Sequence, residues 1–116
     1  MSIILHGIPN CDTVKKARKW LDEQGIPHEF RNYKTSPPTE AELSAWAKET
    51  GWETLLNKAG TTFRKLPEAD KAGLDEAKAI ALMVEHPSLI KRPVVTGAGT
   101  LLVGFKPDQW AAALKG

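Results

Sequence analysis

The sequence predicts one α/β domain with elements in the order β-α-β, a helical block, then β-β-α. Three observations predict it. A short apolar run, Ile3-Ile4-Leu5, passes through a Gly/Pro loop into a stretch with helical period. The middle, from about residue 37 to residue 88, reads as helices broken by glycine and proline. Two β-branched runs then flank Gly97-Ala98-Gly99 and lead into a closing helix. A chain of 116 residues is long enough for a single core, so one domain over 1–116 is expected, with a helical insertion at about 37–88.

Residues 3–6 read as the first strand, bounded by Gly7 and Pro9. Residues 12–24 read as a helix, with Val14, Ala17 and Leu21 facing inward and Lys15, Arg18, Lys19 and Glu23 facing water. Gly25 suits the position that ends it. His28-Glu29-Phe30-Arg31-Asn32-Tyr33 follows as a second strand, parallel to the first across a right-handed crossover. After Pro37-Pro38, Thr39 opens a helix with Glu42 three residues on, the pattern of a capping box. Leu43, Trp46 and Ala47 form its apolar face, and Gly51 ends it. Residues 52–57 suit one or two further helical turns, and Ala59 to Leu66, which lacks a clear period, reads as a loop open to a functional role. Asp75 to Glu85 is helical, with Ala77, Ile80, Ala81 and Val84 on one face, and His86-Pro87 stops it. The segment from Leu89 to Thr96 then turns through Gly97-Ala98-Gly99 into Thr100-Leu101-Leu102-Val103. That Gly-x-Gly reads as a hairpin turn rather than a phosphate loop, because no helix follows it directly. Pro107 suits the first position of a closing helix with Trp110, Ala113 and Leu114 inward.

Composition removes several classes of function. No apolar run approaches the roughly 20 residues that cross a bilayer, and MSIILHGIPN turns polar too soon for a signal peptide, so a cytoplasmic protein is expected. A net charge of +2 is too mild to argue for nucleic acid. One cysteine allows no internal disulfide, and no Cys/His cluster has zinc spacing, so no structural metal is expected. His28 and His86, at a strand start and a helix end, read as structural. The four tryptophans read as core or its rim.

The chemistry centres on Cys11, placed where the first strand feeds the first helix through Gly7-Ile8-Pro9-Asn10. The first N–H groups of a helix lack intrahelical partners, and with the helix dipole they favour a thiolate. Lys15, about one turn along, can add positive potential. A free cysteine is more often a small buried hydrophobe, but Asn10, Asp12 and Thr13 suit a helix entrance better than a core. If Cys11 does redox work, the resolving thiol comes from outside the chain, as glutathione or another protein's cysteine.

This order of elements, with a thiol at the first helix entrance and an X-Pro before the third strand, resembles the thioredoxin-like fold with a helical insertion. More narrowly, the segments from Gly7 to Ala17, Gly60 to Leu66 and His86 to Pro93 resemble the ArsC family of glutaredoxin-type arsenate reductases, closest to its YffB and Spx-like branch. The resemblance implies a cis-proline at Pro93 that brings Arg92 to the thiol. It implies Cys11 as nucleophile and Arg92 as one of three arginines that clamp an oxyanion, a task suited to the planar guanidinium. The other two family arginines fall on Asn57, in Leu55-Leu56-Asn57, and on Lys106, before Pro107. The histidine preceding the cysteine in those enzymes aligns with Gly7, and His6 lies one residue earlier, where it faces the other way. Arg64 can replace part of the lost charge, and can equally be a loop arginine. The site expected is therefore Cys11 with Arg64, Arg92, Pro93, Lys106, Asn10, Lys15 and Asn57.

A cationic site of that kind suits glutathione, with its two carboxylates, as co-substrate. The activity implied is monothiol, glutathione-dependent disulfide reduction, since Val14 stands where a dithiol glutaredoxin has its second cysteine. No tightly bound cofactor and a monomeric state are expected, with glutaredoxin a further candidate partner. Two other readings follow from the same resemblance: arsenate reduction, and a Spx-like regulator that binds RNA polymerase.

Overall fold

The computed structural model describes residues 3–115. Four strands, β1 (Ile4–Gly7), β2 (Glu29–Asn32), β3 (Val94–Thr96) and β4 (Leu102–Val103), form one mixed sheet in the order β2-β1-β3-β4. β1 pairs parallel with β2 and antiparallel with β3, and β3 pairs antiparallel with β4. The chain forms two compact units, residues 1–36 with 92–116 and residues 37–91. Among the described residues, no helix is long and apolar enough to cross a membrane.

The first unit holds the sheet, α1 (Asp12–Glu23) and α7 (Pro107–Lys115). The strand register puts Leu5, Phe30, Val95 and Leu102 on one face of the sheet. Leu5, Val95 and Leu102 there form one cluster with Val14, Ala17 and Leu21 of α1 and Trp110 of α7. Burying each of these larger apolar side chains favours the fold by about 1.5–3 kcal/mol. Trp110 is wholly buried, its indole N–H donating to the Gly104 carbonyl at 3.1 Å, and its ring meets Phe105 and Trp20 edge-on. His6 lies on the opposite face with Val94 across from it. It is buried, and its Nε2 is 2.9 Å from Thr96 Oγ1. α1 ends as the glycine predicts: Gly25 takes φ +67°, and the N–H groups of Gly25 and Ile26 donate to the carbonyls of Asp22 and Leu21.

The second unit is helical. α2 (Glu40–Thr50) begins with the full capping box, Thr39 Oγ1 accepting from the Glu42 N–H at 3.1 Å and Glu42 accepting from the Thr39 N–H at 3.0 Å. Leu43, Trp46 and Ala47 are buried. α3 (Trp52–Leu55) supplies the further turn, and Leu56 bridges to Ile90. Three expectations are corrected here. Ala59–Leu66 is not an open loop: it contains α4 (Thr61–Arg64), and α5 (Glu68–Lys71) follows it. Four residues are too few for a helical period to register in sequence.

The second correction concerns α6 (Glu76–Glu85), capped by the Asp75 side chain, which accepts from the Lys78 N–H at 2.8 Å. It buries Ala79, Ile80, Leu82 and Met83, while Ala77, Ala81 and Val84 are exposed. Its alanine-rich sequence supports more than one apolar stripe, and the stripe with the larger side chains, Leu82 and Met83, takes the core. The strand expected from Leu89 begins only at Val94, because Pro87–Leu89 forms a 3-10 turn first.

Candidate active site

The loop after β1 delivers Cys11 to the N-cap of α1, with extended backbone angles of φ −124° and ψ 123°. The first helical bond runs from the Lys15 N–H to the Cys11 carbonyl at 2.9 Å. Cys11 is half-buried, packed against the core cluster of its unit. β1 and β3 run antiparallel with His6 opposite Val94, so the end of β1 lies beside the start of β3. Arg92-Pro93 immediately precedes β3, and its peptide bond is cis. Sheet topology therefore brings Arg92 to Cys11, although 81 positions separate them in the chain.

The thiol is displaced below its ordinary pKa by opposing influences. Partial burial is the largest and raises it. Against burial act the Val14 N–H, a hydrogen bond from the Arg92 side chain, the Thr13 N–H and the Arg92 charge, and together they prevail. Cys11 closes no conventional side-chain capping bond, so these N–H groups matter chiefly for the charged sulfur, which attracts donors that a neutral thiol does not hold. The arrangement can carry a nucleophilic thiolate.

The remaining expected residues divide. Pro93 is buried, and its carbonyl accepts from the Gly104 N–H at 2.8 Å. Asn10 is exposed in the turn before Cys11. Lys15 and Lys106 are exposed, and neither is among the groups that displace the thiol. Arg64 and Asn57 belong to the helical unit and brace the backbone of one residue: Arg64 Nη2 donates to the Ala59 carbonyl at 2.9 Å, and Asn57 Oδ1 accepts from the Ala59 N–H at 3.2 Å. Sequence reasoning anticipated helix N–H groups at the thiol but did not single out Thr13 and Val14. They are the second and third helical positions, where N-cap partners are found. No group of three or more His, Cys, Asp or Glu side chains suited to a metal occurs among the described residues.

The mixed sheet, the helices and the thiol at the start of α1 define a thioredoxin-like α/β protein. The chain belongs to the ArsC family, whose sequence pattern it matches over residues 6–113. It is similar to a YffB protein of known structure, with 57% identity, a TM-score of 0.94 and coverage of 97% of this chain and 99% of that one. An arsenate reductase (ArsC) related protein from Brucella melitensis is 50% identical, with a TM-score of 0.77 and coverage of 97% and 93%. The global transcriptional regulator Spx of Streptococcus pneumoniae is 30% identical over 108 residues, covering 91% of this chain and 80% of Spx.

Proposed function

We propose that this protein is a monothiol reductase in which the Cys11 thiolate exchanges with glutathione mixed disulfides. The observation that carries this reading is the placement of Cys11 at the N-cap of α1 beside Arg92 of the cis Arg92-Pro93 segment, an arrangement that favours the thiolate. In the first step the Cys11 thiolate attacks the glutathione sulfur of a mixed disulfide. A Cys11–glutathione disulfide forms, the old S–S bond breaks, and the substrate leaves as a thiolate that takes a proton from water. In the second step the thiolate of another glutathione attacks the glutathione sulfur of that adduct. Oxidised glutathione leaves and the Cys11 thiolate is restored. The second glutathione is required because the sequence holds no other cysteine.

In this reading Arg92 stabilises the thiolate and, with Lys106, attracts the carboxylates of glutathione. Asn10, Lys15 and Pro93 shape the surroundings. The protein acts as a monomer without a tightly bound cofactor. A cytoplasmic location goes with it, since a free thiol persists where thiols are kept reduced.

Likeness to the arsenate reductase related protein favours a second substrate, arsenate, attacked by the same thiolate. Lysine at position 106 and asparagine at 57 weigh against it, because neither donates the paired hydrogen bonds of a guanidinium. Likeness to Spx favours a polymerase-binding role in which Cys11 is dispensable. NADPH oxidation coupled through glutathione reductase separates the three. Turnover of a small mixed disulfide that is abolished by Cys11→Ser is expected. Turnover of arsenate alone, or polymerase binding unaffected by Cys11→Ala without turnover of either substrate, overturns the reading.

A further inference from the structure

We propose that Gly7 is a positioning residue for the Cys11 thiolate: its missing side chain lets the end of β1 close against Val14, so that the first turn of α1 presents its N–H groups to the sulfur. This rests on the reading of Cys11 as the working nucleophile. A Cβ placed on Gly7 would lie 2.8 Å from Val14 Cγ2, 3.6 Å from Cγ1 and 3.8 Å from Cβ. Carbons in contact sit at about 3.5–4.0 Å, so even an alanine here forces a separation of about 0.7 Å. Gly7 is not among the glycines with positive φ. Its backbone conformation is therefore open to any residue, and the close approach to Val14 is what requires glycine.

The direction of the forced movement follows from what holds each side. Gly7 is paired with Asn32 of β2, and its carbonyl accepts from the Tyr33 N–H at 2.7 Å. The residue before it, His6, is paired with Val94 of β3. Val14 cannot readily turn its methyl aside, since a β-branched residue in a helix has one strongly preferred rotamer and Val14 is wholly buried in the core cluster. The start of α1 is the freer side, because its first N–H groups lack intrahelical partners. Displacement lands on residues 12–14, which include the Thr13 and Val14 donors. Arg92 reaches Cys11 from the segment before β3, and Asp12 and Lys15 are the charged residues on Cys11's own helix within a turn of it.

The test is a double-mutant cycle read on the free thiol. Reduced wild-type protein, Gly7→Ala, Val14→Ala and the double variant are alkylated with iodoacetamide across a pH series, and thermal unfolding is followed in parallel. Gly7→Ala is expected to move the alkylation midpoint upward and slow alkylation at neutral pH severalfold, whereas in the Val14→Ala background the same substitution leaves the midpoint where Val14→Ala has it. A lowered thermal midpoint for Gly7→Ala with an unmoved thiol titration overturns the proposal and leaves Gly7 a packing residue only. If Gly7→Ala does not fold, the remaining pair decides: equal titrations in Val14→Ala and the double variant support the proposal, and a raised midpoint in the double variant overturns it. No substrate enters this experiment, so its outcome is distinct from whether the protein reduces disulfides.

Discussion

Replacing Arg92 by methionine keeps an extended, apolar stem and removes the guanidinium. Two of the influences that lower the Cys11 pKa disappear with it, the side-chain hydrogen bond and the charge, while the Val14 and Thr13 N–H groups remain. A hydrogen bond to a charged group contributes about 1.5–3 kcal/mol. Cys11 and Arg92 are both only half-buried, and solvent screening reduces the interaction toward about 1 kcal/mol. One pKa unit corresponds to about 1.4 kcal/mol, so the thiolate fraction below the thiol pKa should fall about fivefold. The assay is the rate of iodoacetamide alkylation as a function of pH, with Cys11→Ser as the blank. Arg92→Lys, which keeps a charge but loses the planar fork, should fall between wild type and Arg92→Met. An Arg92→Met profile that superimposes on the wild type would mean that the N–H groups hold the thiolate alone and that Arg92 contributes nothing to it.

Other expectations concern stability. Because folding lowers the Cys11 pKa, the unfolded chain binds more protons than the folded one between the folded value and the unfolded value of about 8.5. Wild type should therefore gain stability relative to Cys11→Ser as pH rises through that window, hold the gain above it, and lose it as pH falls through the folded pKa; urea unfolding at several pH values checks this. Trp110→Ala should cost about 3–5 kcal/mol in the same measurement, since the ring is wholly buried against Trp20 and Phe105. Thr39→Ala should cost about 1 kcal/mol by removing the cap of α2, with the alkylation profile unchanged.

Much of this could be read from the chain because local rules and tertiary packing agree. The capping box at Thr39, the glycine stop at Gly25 and the inward Val14, Ala17 and Leu21 each combine a local signal with a burial that satisfies it. The meeting of Cys11 and Arg92 has no local signal and follows only from the family resemblance; antiparallel pairing of β1 and β3 accounts for it physically. The legible features ended where local preference was degenerate. On α6 two apolar stripes compete, and only packing selects Ala79, Ile80, Leu82 and Met83. Arg64 and Asn57 are polar residues whose local task, holding the Ala59 backbone, leaves no mark distinguishable from a ligand-binding one. The close approach of Gly7 to Val14 is likewise a property of coordinates, because a glycine after a strand reads simply as a turn.

Cys11 is proposed as a thiolate nucleophile that an external thiol regenerates. Intact-mass measurement tests it most directly, after reduced protein is mixed with a glutathione mixed disulfide and then with excess reduced glutathione. A single glutathionyl adduct is expected, confined to Cys11 and absent in Cys11→Ser, that disappears on the second addition. A protein that takes up no adduct under conditions where its thiol is accessible to iodoacetamide, or whose adduct persists in excess glutathione, would contradict it.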